Sequence, residues 1–156
     1  MAKQPIELVR IVCEDVYGKG KLDLIPEAMH EDFKGHDPLL GTHDRHGVEQ
    51  AVQMYRRAFP DMEMKVVDSV QSGDVVTARW RSTGTHKGEL LGIAPTNKQI
   101  SVEGISMVRF RDGKAQESWV QWDALGMMRA LGVVSEPKIK RPDGGERAAA
   151  QRNQRR

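Results

Sequence analysis

Asp123 closes a period-2 segment and stands one residue before a helical pattern. Alternation through Ala115, Glu117, Trp119 and Gln121 puts its carboxylate on the same face as the Trp119 indole. A carboxylate held against an indole loses hydration and becomes a better base. The position equally suits an N-cap for the helix beginning at Ala124, and one aspartate can serve both roles. His86 ends another period-2 segment and shares a face with Trp80, Ser82 and Gly84. An imidazole exchanges protons near neutral pH, so His86 can shuttle a proton or donate to a carbonyl oxygen. A histidine simply hydrogen-bonded at a strand end is the plainer alternative. His36 precedes Asp37-Pro38, where the proline forces Asp37 into an extended conformation. Together these groups suit acid/base proton transfer.

The elements that must position them read in two blocks. Three helices come first. Leu8/Val9, Val12/Cys13 and Val16 recur at helical spacing over 5–17, and Gly18 suits the cap. Asp23 can cap a short second helix through His30. Val48, Ala51/Val52, Tyr55 and Ala58/Phe59 mark a third, stopped by Pro60. Residues 32–41 between the last two read as an irregular loop. The period then switches to 2. Strands are expected over 62–71, 75–86, 98–111 and 114–122, with turns at Ser72-Gly73-Asp74 and Asp112-Gly113. A short helix over 124–131 closes on Gly132. Helices followed by an antiparallel meander make an α+β pattern.

A strongly curved sheet wrapped around the helices would enclose a pocket, and core wall and pocket wall would then be one surface. Trp80 and Trp119 are candidate lining on that ground. In the third strand Glu103, Ile105, Met107 and Arg109 share one face, and Val102, Gly104, Ser106 and Val108 the other. Glu103 is the one polar candidate there for a partner to Asp123, and Met107 lies on its side. Arg79 and Arg81 mark the opposite face of the second strand as solvent or interface.

The loop residues His36, Asp37, His43, Asp44 and His46 raise a metal question. They lack helical i, i+4 histidines or paired cysteines, so no metal site is expected. Cys13 is the single cysteine and falls on a buried helix face, as a small core residue rather than a nucleophile. Among the 156 residues, 137–156 hold seven Lys/Arg against two Asp/Glu, so 1–136 carry a net charge of −3. That part offers no electrostatic footprint for nucleic acid. Residues 1–134 read as one domain and 135–156 as a basic, disordered, solvated tail rather than a tether. No apolar run is long enough to span a membrane, no signal peptide is evident, and the cytoplasm is the default compartment.

Ordered short motifs cover roughly 5–132: His36-x-Pro38, Ala58-Phe59-Pro60-Asp61, Ser72-Gly73-Asp74, Gly84-Thr85-His86-x-Gly88, Leu91-Gly92-Ile93-x-Pro95-Thr96-x-Lys98, Arg109-Phe110-x-Asp112-Gly113-Lys114 and Glu117-x-Trp119-x-x-x-Asp123. In these the chain resembles the SnoaL-like polyketide cyclases, within the nuclear transport factor 2-like superfamily. Ala94 and Asn97 replace a proline and a glycine of the family's usual loop. The resemblance implies a conical, barrel-like α+β fold with N-terminal helices packed in a strongly curved antiparallel sheet. It implies no cofactor, no metal, a hydrophobic small-molecule ligand and a homodimer or higher homo-oligomer. The expected reaction is an aldol-type cyclisation, or a related proton transfer at carbon, on a polyketide-like substrate. Asp123 is the implied base, His86 and His36 the candidate donors, and Tyr17 a wall residue. The alternatives are a non-catalytic binder of the same fold, or isomerase, hydrolase or hydroxylase chemistry in the same pocket.

Overall fold

In the computed structural model, which describes residues 2–135, 138–140, 142, 146 and 147, Pro5 opens the first helix and Gln4 and Glu7 cap it reciprocally. The chain then runs α1 (Pro5–Arg10), a wider π-helical stretch (Ile11–Tyr17), a 3-10 turn (Leu22–Leu24), α2 (Ile25–Ala28), β1 (Met29–Asp37), β2 (Gly41–His43) and α3 (Arg45–Ala58). The meander follows as β3 (Glu63–Ser72), β4 (Val75–Thr85), β5 (Gln99–Arg111) and β6 (Lys114–Trp122), and α4 (Ala124–Ala130) closes it. Short strands β7 (Ile139–Lys140) and β8 (Glu146–Arg147) pair with each other. The expectation of a disordered tail otherwise lies outside the described residues.

Six strands form one sheet in the order β2-β1-β6-β5-β4-β3. The β3–β6 meander is antiparallel, as its turn chemistry requires. Asp112 and Gly113 both take positive φ, 53° and 76°, the backbone of a two-residue hairpin. The sheet is mixed rather than wholly antiparallel, because β1 runs parallel to β6. That strand falls where the sequence suggests the end of a second helix and a loop. Helix α2 stops at Ala28, and residues 29–37 pair instead with a segment some eighty residues away. A charged run broken by Gly35 has little strand propensity of its own. Burial of Met29, Phe33 and Gly35 against the core holds it extended.

The first helix touches β3, β4 and β6, so the sheet curls around it without closing. Leu8, Val9, Cys13, Val16, Ile25, Phe33, Val48, Val52, Trp80 and Phe110 pack between helices and sheet. A second cluster of Phe59, Met62, Leu90, Ile100, Met127 and Leu131 seats α4 and the loop after β4. Arg56 on α3 joins the layers. Its guanidinium donates to the carbonyls of Gly18 (2.9 Å), Met62 (3.2 Å) and Tyr17 (3.3 Å), fixing the end of the first helix. Among the described residues no helix is long and apolar enough to cross a membrane.

Candidate active site

Between the helices and the curled sheet lies a cavity of about 170 Å³. Its walls are almost wholly apolar, with Val12 and Cys13 from the first helix, Val48 from α3, Phe33 from β1, Trp80 from β4, and Val120 and Trp122 from β6. Asp37 is the only carboxylate among the described lining residues. Inward alternation along β1 through Phe33 and Gly35 delivers it there, and Pro38 keeps its backbone extended.

Three N–H groups hold that carboxylate. Oδ1 accepts from Leu39 N (2.8 Å) and Leu40 N (2.9 Å), an Asx-type turn, and Oδ2 accepts from the Trp122 indole Nε1 (3.0 Å). Oδ2 thus keeps a lone-pair site beyond its one bond. Tyr17 and Tyr55 also line the cavity. Burial first, and the nearby Asp37 charge second, push both phenols above the usual tyrosine range, so they stay O–H donors. Tyr55 Oη is buried with no hydrogen-bond partner among the described residues. Its ring meets Trp122 edge-on, with centroids 6.3 Å apart and planes at 86°. One indole therefore braces both the carboxylate and the phenol. The Cys13 thiol is pushed up to about 12, chiefly by burial, and is no nucleophile. His43 lines the cavity too. Its Nδ1 donates to Gly41 O (3.1 Å), and its ring fills the space beside Gly35, where an added Cβ would lie 2.6 Å from Nε2.

Residues 7–131 match the SnoaL-like polyketide cyclase family. The chain belongs to that family. It is 30% identical over 131 residues to the aklanonic acid methyl ester cyclase DnrD of Streptomyces peucetius, a match covering 81% of this chain and 90% of the relative. It is 28% identical over 121 residues to the nogalonic acid methyl ester cyclase of Streptomyces nogalater, covering 74% and 89%. In structure it resembles wild-type IdmH of Streptomyces antibioticus, with a TM-score of 0.74 and 31% identity over 84% of this chain and 100% of that one.

Within this family fold, Tyr17 and Trp80 stand where the sequence suggests, on the cavity wall. The Trp80 indole donates to Ser106 Oγ (3.0 Å). Other expected site residues stand elsewhere. Asp123 is exposed and caps α4 through the Gly126 N–H (2.8 Å), outside the cavity lining. Trp119 lies on the outer face, stacked on His36 (5.6 Å, 17°) with the Arg109 guanidinium 5.6 Å from its ring. His36 also points outward, its Nε2 2.7 Å from Glu117 Oε2. Glu103 and Met107 are exposed on the outer face of β5, Glu103 bonded to Arg81 (2.7 Å). His86 is fully buried but does not line the cavity. Its Nδ1 accepts the Thr96 N–H (3.2 Å), and its ring lies 5.4 Å from that of Phe59. It pins the loop after β4, with His86 N donating to Lys98 O (2.9 Å).

The reversal on β6 has one cause. The β5–β6 register passes from Arg109↔Glu117 to Phe110↔Ala115, so β6 carries an extra residue at Gln116. Parity counted from Ala115 therefore flips, and Ser118, Val120 and Trp122 face inward instead of Glu117, Trp119 and Gln121. Asp37, Tyr55, Trp122 and His43 line the cavity, and the sequence had offered none of them as a pocket residue, raising Asp37 and His43 only as metal candidates. Treating 29–37 as a strand would have placed Asp37 in phase with Phe33. Tyr55 was already in phase with Val48, Ala51 and Val52 on the buried face of α3.

Proposed function

We propose that the protein binds a polyketide-derived carbonyl compound in this cavity and uses Asp37 as the base for an aldol-type ring closure. One observation carries the reading: among the described residues, a single, oriented carboxylate on the wall of a largely apolar cavity. Two relatives in the same family are named for methyl ester cyclases acting on aklanonic and nogalonic acid esters, which supports a substrate of that class.

Asp37 Oδ2 takes a proton from a carbon flanked by carbonyls. The resulting carbanion attacks a ketone carbon of the same molecule and forms the new C–C bond. The ketone oxygen becomes an alkoxide and takes the proton back from Asp37, so the reaction is an isomerisation with no atoms gained or lost. Leu39 N–H, Leu40 N–H and the Trp122 indole hold the carboxylate in one orientation throughout. The apolar walls exclude water, which would otherwise quench the carbanion.

The test is conversion of aklanonic acid methyl ester, followed by chromatography and mass spectrometry. Wild type should form a cyclised isomer of unchanged mass. Asp37→Asn should lose on the order of 100-fold or more in kcat, the scale of a missing general base. Full activity in that variant would remove Asp37 from the mechanism.

A further inference from the structure

Tyr55 presents a problem that the base does not solve. A buried hydroxyl without a partner is costly and uncommon, yet Tyr55 Oη has none among the described residues. Asp37 does not satisfy it. The carboxylate spends its bonds on Leu39, Leu40 and Trp122 instead. The second phenol on the cavity wall, Tyr17, likewise makes no side-chain hydrogen bond among the described residues, and its backbone carbonyl is what Arg56 grips. Ser82, Thr83, Ser106 and Ser118 carry further hydroxyls on the wall, but both phenols lie near enough to Asp37 to feel its charge, so a ligand oxygen entering beside the carboxylate meets them as donors.

We propose that Tyr55, together with Tyr17, donates its hydroxyl to a carbonyl oxygen of the bound molecule and stabilises the negative charge that grows there as the adjacent carbon loses its proton. The inference rests on the reading of this cavity as the ligand site, and deepens it by requiring a ligand with a carbonyl acceptor next to the acidic carbon. Proton-abstracting carboxylate and charge-stabilising donor must then sit a few ångströms apart, since the carbonyl oxygen is two bonds from the reacting carbon. Trp122 links the two, because its indole N–H holds Asp37 and its ring meets that of Tyr55 in a T-shaped contact. The phenols keep their protons throughout and act as hydrogen-bond donors alone. A ketone or ester oxygen gives the Tyr55 hydroxyl an acceptor, whereas a hydrocarbon of the same shape does not. Selectivity for carbonyl compounds over fatty or terpenoid hydrocarbons follows from that difference.

The experiment compares binding of 1-tetralone and of tetralin, its analogue without the oxygen, by calorimetry. A ketone oxygen only accepts, so Asp37 cannot imitate the effect. Tyr55→Phe and Tyr17→Phe should each weaken 1-tetralone binding by about fivefold or more while changing tetralin binding less than twofold, the size expected when a buried acceptor loses its donor. Turnover of Asp37→Asn is measured apart from ketone binding by the tyrosine variants, so failure of the base and failure of the donors read out separately. The proposal is overturned if both tyrosine variants lose affinity for the two compounds equally, or lose none. It is also overturned if wild type does not bind 1-tetralone.

Discussion

At the scale of single residues, the chemistry turns on which carboxylate sees the cavity. Asp123 and Asp37 are both aspartates at strand ends, and both accept backbone N–H groups. Asp123 spends that capacity capping an exposed helix. Asp37 adds an indole donor and lies on the cavity wall. The first was conspicuous in the sequence because it precedes a helix and follows a tryptophan. The second was hidden in a run of histidines and aspartates that suggests a loop or a metal. Those side chains in fact diverge. His36 turns out to Glu117, Asp37 and His43 turn in, Asp44 caps α3 through Gly47 N (2.9 Å), and His46 is exposed beside Glu49. Cys13 was read correctly as a core residue, and its chemistry can be checked. With its thiol pushed up to about 12, only about one molecule in ten thousand carries the thiolate at pH 8. Ellman's reagent should leave the native protein unmodified over the time in which it titrates one thiol in guanidinium. Rapid modification of the native chain would contradict the burial.

At the scale of elements, the helices and the four meander strands were legible because each carries its own period and its own punctuation. Helix α3 has its apolar stripe and Pro60, and β5–β6 has Asp112-Gly113. What could not be read was set by distant partners. Strand β1 exists through pairing with β6, and the extra residue at Gln116 shows only when β6 is laid against β5. The faces of β4 could be sorted because no bulge interrupts its ladder with β5, whereas those of β6 could not. Gly104 is a second consequence of strand packing. A Cβ there would come within 2.3 Å of Trp80 Cζ2 and 2.8 Å of Trp122 Cβ. Both indoles wall the cavity, and one of them holds Asp37. Gly104→Ala should therefore cost about 1–3 kcal/mol by overpacking, measured by urea unfolding, and should lower turnover as Trp122 shifts. An unchanged midpoint and rate would mean the two indoles move aside freely.

At the scale of the whole molecule, the α+β class was readable from the order of elements, whereas the helix-in-curled-sheet arrangement came with the motifs, which pointed to the family the chain belongs to. The cavity's contents were not, because they depend on how all the layers close around one space. That closure has a measurable signature. The chain has two tyrosines, both on the cavity wall and both raised above the ordinary range. In the unfolded chain they ionise near pH 10. Above that pH the folded state holds protons the unfolded state has released, so stability falls as pH rises. Each phenol subtracts about 1.4 kcal/mol per pH unit until its folded value is reached. Thermal unfolding should show a Tm that drops steeply above about pH 10, with phenolate absorbance appearing only as the protein unfolds; phenolate in the native protein near pH 10 would place the rings in solvent. The most direct test of the account sets Asp37→Asn beside Asp123→Asn in one turnover assay with aklanonic acid methyl ester. Asparagine caps a helix about as well as aspartate, so Asp123→Asn should leave α4 in place. The account predicts a loss of about 100-fold or more in kcat for Asp37→Asn and a change under about threefold for Asp123→Asn. The opposite pattern, with Asp123 essential and Asp37 dispensable, would contradict it.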